Sequence, residues 1–445
     1  MRRSACLIIV IASLVSGGCG KLSDQLAPQG SFRAIHAVPD LYQAVFFVRD
    51  RQQATLEYGG NTARNRVGVD RYPFSVKVRK AGQDDQLALE FEADIREGEE
   101  AIFVFTGDAA NLGRLTWRRP EVEVGAGRVA PAFGHAGQGL GPVDVYLEGP
   151  GADLLAATPV ASLASGGFST AGRIDAGDYQ LTVTAPGDPA TVLFASATLS
   201  LAGGTEPLFV LLDTAGTGTT QLLVRAIGAG GVGFVEDLSS APVLRAAHAS
   251  LGGVDVDVAI DGDFASPLIG NLAFQQLSGY QATTADPADL AIAQAGTAGG
   301  VLLAQDNIDL VSGTFNSSFF LGAAGAEEVV TVSDTRRPFA EFAQLRLVQA
   351  AANFSNVDVY VVPAGKSFSQ FAPVRQGLSF RTVTGNIVLR PRDYDIVVTE
   401  NLGTKVLARV DGVTLNELGL YGVMITDNTD PALVDLVLFD DFVAP

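Results

Sequence analysis

Three histidines, His36, His135 and His248, are the side chains of this sequence best suited to acid–base or metal chemistry near neutral pH. Each ends an apolar run and precedes small residues and a turn, as in FRAIHAVPD, AFGHAGQG and LRAAHASLGG. A metal ion needs three or four ligands within about 2 to 2.5 Å. One histidine per segment does not supply them if the segments are strung in a row. The bland reading is a strand-end histidine whose ring nitrogen bonds the backbone of the following loop, with Gln349 offering a similar amide in a fourth copy.

Other groups invite the same scrutiny. Asp255, Asp257, Asp261 and Asp263 in VDVDVAIDGD carry the oxygen ligands calcium prefers, and they form the one metal candidate. Their spacing is not that of an EF-hand, and a solvated strand face running into an Asp-Gly hairpin turn accounts for it. Gly228-Ala-Gly-Gly-Val-Gly233 matches G-x-G-x-x-G, yet no helix-forming stretch follows to receive a pyrophosphate, so a linker or strand exchange is expected. There is no G-x-S-x-G, and Cys6 and Cys19 are the only cysteines. Trp117, within Arg114-Leu-Thr-Trp-Arg-Arg119, either offers an exposed ring to a sugar or acidic partner or packs beneath arginine stems.

The elements that carry these residues repeat. His36, His135, His248 and Gln349 recur at intervals of about 100 residues, the size of a small sandwich domain. After each comes strict alternation, as in Val143-Asp-Val-Tyr146 and Val357-Asp-Val-Tyr360. In the third copy Val254, Val256 and Val258 are expected on one strand face and Asp255 and Asp257 on the other, with Asp255 at the repeated acidic position. Further along, Gly177-Asp-Tyr-Gln-Leu-Thr-Val-Thr184 parallels Arg392-Asp-Tyr-Asp-Ile-Val-Val-Thr399, which places Tyr72, Tyr179, Tyr280 and Tyr394 at one position as core or corner residues. Fifty glycines and twenty prolines fit short strands and many turns, and no long 3.6-residue period appears. The fold expected is all-β: four tandem Ig-like antiparallel β-sandwich modules at 31–126 (divergent), 127–240, 241–342 and 343–445.

A strand ending in His-Ala, a loop, then Val-Asp-Val-Tyr and a later Gly-x-Tyr-x-Val element resemble the DUF4397 family of domains of unknown function. The resemblance covers nearly all of the chain after its N-terminal segment. The first copy departs from it with Ala44-Val-Phe-Phe-Val48 and the last with Gln349. It implies Ig-like sandwiches in bacterial envelope proteins and brings no established activity.

The N-terminus points to the same location. Met1-Arg-Arg-Ser4 is basic, Ala5 to Val15 is apolar, and Ser16-Gly-Gly-Cys19 follows, so 1–18 reads as a lipoprotein-type signal peptide. Residues 19–30 then read as the lipidated Cys19 and a polar linker. Gly20 after the cysteine resembles sorting patterns for the outer membrane. With both cysteines so used, the modules contain no thiol and must be stabilised by their cores. The net charge of −19 disfavours nucleic acid and suits solubility, cations or basic partners. The expectation is a lipid-anchored, non-enzymatic binding or structural display array without cofactor. Its partners would be the membrane, through the lipid, and an envelope or extracellular protein or glycan. A calcium-stabilised adhesin, a glycan-binding protein and a hydrolase are the alternatives.

Overall fold

The computed structural model describes residues 28–441 except 82, 217, 229–232, 284–287 and 298–299. The chain is all-β, and apart from one 3-10 turn at Phe368–Gln370 its described elements are strands. The first segment has eight: β1 Gln29–His36, β2 Ala44–Val48, β3 Arg51–Leu56, β4 Asn65–Gly68, β5 Asp70–Val78, β6 Gln86–Ile95, β7 Glu99–Gly107 and β8 Leu112–Pro120. They form two four-stranded sheets, ordered β4-β1-β7-β8 and β3-β2-β5-β6. The β2–β3 hairpin turns on Arg49 and Asp50, both at positive φ, the geometry that matches strand twist in a two-residue loop. The segments spanning 243–334 and 343–440 repeat this plan with two four-stranded sheets each, and the segment from 128 to 235 builds two five-stranded sheets with a short extra pair.

One pairing is invisible to alternation. β1 and β7 run parallel, with Ser31 beside Glu100 and His36 beside Phe105. The same parallel pair recurs as Ala132–His135 with Leu208–Leu212, Val243–Leu251 with Phe315–Ala323, and Ala343–Gln349 with Leu420–Asp427. These strands are buried on both faces. In the first segment Phe32, Ala34, Phe103 and Phe105 face the opposing sheet and pack with Phe46 and Phe74. Ile35, Ile102, Val104 and Trp117 face outward, onto Ala132, Leu208, Val210 and Leu212 of the second segment. Ala247, Ala249, Phe319 and Leu321 meet Val348, Ala350, Met424 and Phe439 in the same way. Burial on both faces is why IFVFT and LFVLL are unbroken apolar runs.

The modules are therefore not a row of separate beads. Two sheet-to-sheet seams join the first to the second and the third to the fourth, and shorter contacts join the pairs. Thr219 N donates to Gly313 O at 2.9 Å and Ser312 N to Glu236 Oε1 at 3.1 Å. From the connection before the fourth module, Ala340 N donates to Asp40 O at 2.8 Å, and Phe339 and Phe342 pack on Tyr42 of the first.

Candidate functional site: strand-end caps and inter-module seams

The repeated histidine position is a backbone cap. His248 Nε2 lies 3.0 Å from Val254 O, and Ser250 N donates to its Nδ1 at 3.3 Å. Gln349 makes the same two bonds with an amide: Nε2 donates to Phe354 O at 2.9 Å and Oε1 accepts from Ala351 N at 3.0 Å. His135 Nε2 reaches Gly141 O at 3.0 Å, and His36 Nδ1 accepts from Val38 N at 3.1 Å. Accepting at Nδ1, as His248 and His36 do, requires a neutral imidazole. Burial favours that form. It holds His248 below the ordinary histidine range, and for His36 burial and the neighbouring Arg337 push the pKa down to about 3.

His36 is completed differently. The loop carbonyl of Leu41, which corresponds to that of Phe354 in module four, accepts from Arg337 Nη1 at 2.9 Å. The same Nη1 donates to Pro39 O at 3.0 Å, and the guanidinium lies over the rings of Phe339 and Tyr58. Burial lowers its pKa to about 10. A cation from the third-to-fourth connection thus finishes the cap of the first module.

Two assignments read from residue type need correction. The strand of the third module begins at Val256, and Val254 before it is 45% exposed. The repeated acid is Asp257, not Asp255. Its Oδ1 accepts from Asn271 N at 2.8 Å and its Oδ2 from Gly296 N at 2.9 Å. Asp358 does the same with Gly377 N and Leu402 N, at 2.7 and 2.9 Å. Asp144 accepts from Gly187 N at 2.7 Å and from the Ser162 hydroxyl. Each carboxylate ties its strand to one neighbouring strand and to the turn that follows the other, and each stands nine residues after its cap.

Asp261 shares the hairpin turn with Gly262, both at positive φ, and accepts from Asp289 N at 3.0 Å, while Asp263 Oδ1 accepts from Ala265 N at 3.2 Å. Among the described residues no three acidic, histidine or cysteine side chains gather as a metal site, so the four aspartates are not brought together.

Tyr72, Tyr179 and Tyr394 are corners, each hydroxyl donating to the carbonyl four residues earlier: Gly68, Asp175 and Arg390, at 2.9 to 3.0 Å. Tyr280 is not their equivalent. Val357 pairs with Glu400 and Val256 with Gln294, so the place of Tyr394 falls on Ala288. Tyr280 lies before the strand Gln281–Ala282 and donates to Asp334 Oδ2 at 2.6 Å, with burial and Asp334 raising its pKa to about 12.

The glycine-rich segment also lies elsewhere than expected. Residues 229–232 fall outside the described set, but the strands on either side, Leu223–Ile227 and Gly233–Val235, pair antiparallel within the second module, so the segment lies inside that module and is not the linker between modules. Cys19 and the N-terminal residues read as a signal peptide lie outside the described residues.

Sequence reasoning missed the polar ends of the seams. In the first pair, fully buried Glu100 accepts from Arg33 Nε at 2.9 Å, Arg119 Nε at 2.7 Å and Arg64 Nη2 at 2.9 Å. Arg64 also bridges to Glu206 of the second module at 2.7 Å. Burial alone would raise the Glu100 pKa, but the three guanidiniums outweigh it and hold the carboxyl below its usual range. In the second pair, Asp334 and Asp440 take Arg346, Arg245 and Arg336. A signal existed: FRAIH, LRAAH and LRLVQ place an arginine three residues before the cap in modules one, three and four, where module two has Ala132.

Trp117 is buried in the first seam. Its Nε1 donates to Gly166 O at 2.9 Å, its ring stacks on Phe168 at 5.4 Å, and it is not the exposed ring that a sugar contact would require. Beside this seam is a cavity of about 590 Å³ bordered by Arg119, Arg128, Arg173 and Glu206, with Pro131 and Ala132 among its apolar walls.

The chain matches no curated protein. Among solved structures, the Bacillus anthracis TIE protein aligns over 91% of this chain and 69% of its own, with 8% identity and a TM-score of 0.15. Residues 242–360 match the family model described as Domain of unknown function (DUF4397), a span that holds all the third-module strands and reaches into the Asn356–Pro363 strand of the fourth.

Proposed function

We propose that this protein is a lipid-anchored component of the bacterial cell envelope, on the outer membrane, whose four modules form a non-enzymatic binding or structural unit. The carrying observation is what the reactive side chains do. The cap rings, the strand-tying carboxylates and the corner tyrosines are spent on the protein's own backbone, at the same places in successive modules. Groups held this way stiffen loops, and a stiff β scaffold displaying loops is a means of binding. We further propose that modules one, two and four are divergent copies of the DUF4397 domain matched in the third. The shared parallel strand pair and the distance of seven or eight residues from cap to following strand support this.

The anchor rests on the basic, apolar and Ser-Gly-Gly-Cys pattern of residues 1–19, with the acidic modules kept off anionic lipid by their charge. The face-to-face seams support a compact block on a short tether instead of an extended stalk. Intact mass of the chain expressed in a bacterial host tests the anchor. A mature chain beginning at acylated Cys19 is expected, and one beginning at Gly20 or later without acyl mass would overturn it.

A further inference from the structure

The two seams share one plan, and their polar ends differ at several places. Arg33 lies beside Ile102 and Arg245 beside Ser317, while Glu100 faces Arg119 and Phe315 faces Asp334. Arg119 and Asp334 are therefore equivalent. Counting back three residues from the caps makes Ala132 equivalent to Arg346. In the second seam Arg346 bonds Asp334, Arg245 Nη1 reaches Asp440 at 2.5 Å, and only about 10 Å³ stays open between them. In the first seam the acid has become Arg119 and the arginine has become alanine. A cavity of about 450 Å³ lies beside Arg346 in the second pair, bordered by Thr335, Gln344 and Asn386, and the cavity of about 590 Å³ in the first pair is its counterpart, with Arg119 and Ala132 at the places of Asp334 and Arg346.

The charges around that cavity are unbalanced in one direction. Arg119, Arg128 and Arg173 border it against a single acid, Glu206, which already bridges to Arg64. Arg119 donates Nε to Glu100 and Nη1 to Glu206 O at 3.2 Å, and Arg128 pairs with Asp175. Arg173 is exposed and makes no ion pair among the described residues. Guanidinium forks match carboxylate geometry, and pockets of about 300 to 1,000 Å³ with apolar walls and a few convergent polar groups are typical of small-ligand sites. Pro120, Val122, Ala130, Pro131 and Ala132 supply such walls.

We propose that the cavity between modules one and two binds a small organic carboxylate with an apolar body, its acid group facing the arginines that border the cavity. This gives the binding role above a ligand class and rests on that reading, but not on the anchor. The test is calorimetric titration of the full chain, purified in a non-ionic detergent, with 2-naphthoate and with its neutral amide. Naphthoate is expected to bind at least tenfold more tightly than the amide. Arg173→Glu, at an exposed position that leaves the fold intact, should weaken naphthoate tenfold or more. Ala132→Arg, which restores the repeat arginine, should abolish binding. No naphthoate binding, equal binding of acid and amide, or unchanged affinity in Arg173→Glu would overturn the proposal. None of those results touches the anchor, which the mass of the mature chain decides separately.

Discussion

A single added methyl group at Gly134 should loosen the first seam. A Cβ built there would stand 2.3 Å from Trp117 Cζ3 and 2.4 Å from Cη2, against an ordinary carbon contact of about 3.5 to 4.0 Å. In Gly134→Ala the indole must retreat by about 1 Å or more, away from Gly166 O and out of its stack on Phe168. Overpacking of this kind costs about 1 to 3 kcal/mol, and leaving the buried indole N–H unpaired costs about 1 to 3 kcal/mol more. The total is about 2 to 6 kcal/mol, and it falls on the seam and not on either sandwich core. Trp117 is the only tryptophan, so its emission reads this seam while far-UV circular dichroism reads every sheet. In a urea titration the variant's tryptophan transition should move to lower urea and separate from the dichroism transition, with red-shifted emission already in buffer. Emission and midpoint identical to wild type would refute the packing described for Gly134.

Other consequences are as specific. His36 has a folded pKa of about 3, below the unfolded value of about 6.5, so the unfolded chain takes up the proton first. Its contribution is complete above about pH 6.5 and is lost as pH falls, by about 1.4 kcal/mol per pH unit down to about pH 3. His36→Gln should flatten stability against pH by that slope in denaturation at pH 4 to 7. Asp257→Ala should cost about 2 kcal/mol, because two backbone donors lose a charged acceptor, whereas Asp255→Ala should stay within about 0.5 kcal/mol; melting both variants distinguishes the two registers. Arg337→Ala removes bonds to Pro39 O and Leu41 O, each worth about 1.5 to 3 kcal/mol. Hydrogen exchange should then rise in the loop 37–42 before it rises elsewhere.

Repeats, strand class and the capping role of histidine and glutamine were legible because they depend on local pattern: period two in the strands, a ring or amide of similar reach at each strand end. Register was less so. Matching by residue type aligned Val254-Asp255 with Val143-Asp144, since the run VDVDV offers two equivalent frames. Distance settles it, because the strand begins eight residues after His36, His135 and His248 and seven after Gln349, which puts Asp144, Asp257 and Asp358 each nine residues after the cap. Tyr280 misled in the same way, through a Gly-Tyr pair that lies outside the corner strand. The seams had no local signature. A strand buried on both faces reads as a continuous apolar run whether its outer face meets a helix, a sheet or another module. The arginines before the caps were visible, but their acids come from other strands and, for Asp440 with Arg245 and Asp334 with Arg346, from the neighbouring module. Face-to-face pairing is what turned an expected row into a closed arrangement.

The repeated histidines hold the backbone of the loops that follow them. The most direct test is calorimetric melting of His248→Gln beside His248→Leu. An amide can donate to Val254 O and accept from Ser250 N as Gln349 does with Phe354 O and Ala351 N. The glutamine variant should therefore melt close to wild type. The leucine variant, with a buried carbonyl and N–H left unpaired, should lose about 2 kcal/mol or more. Glutamine as damaging as leucine, or leucine as harmless as glutamine, would contradict the capping role.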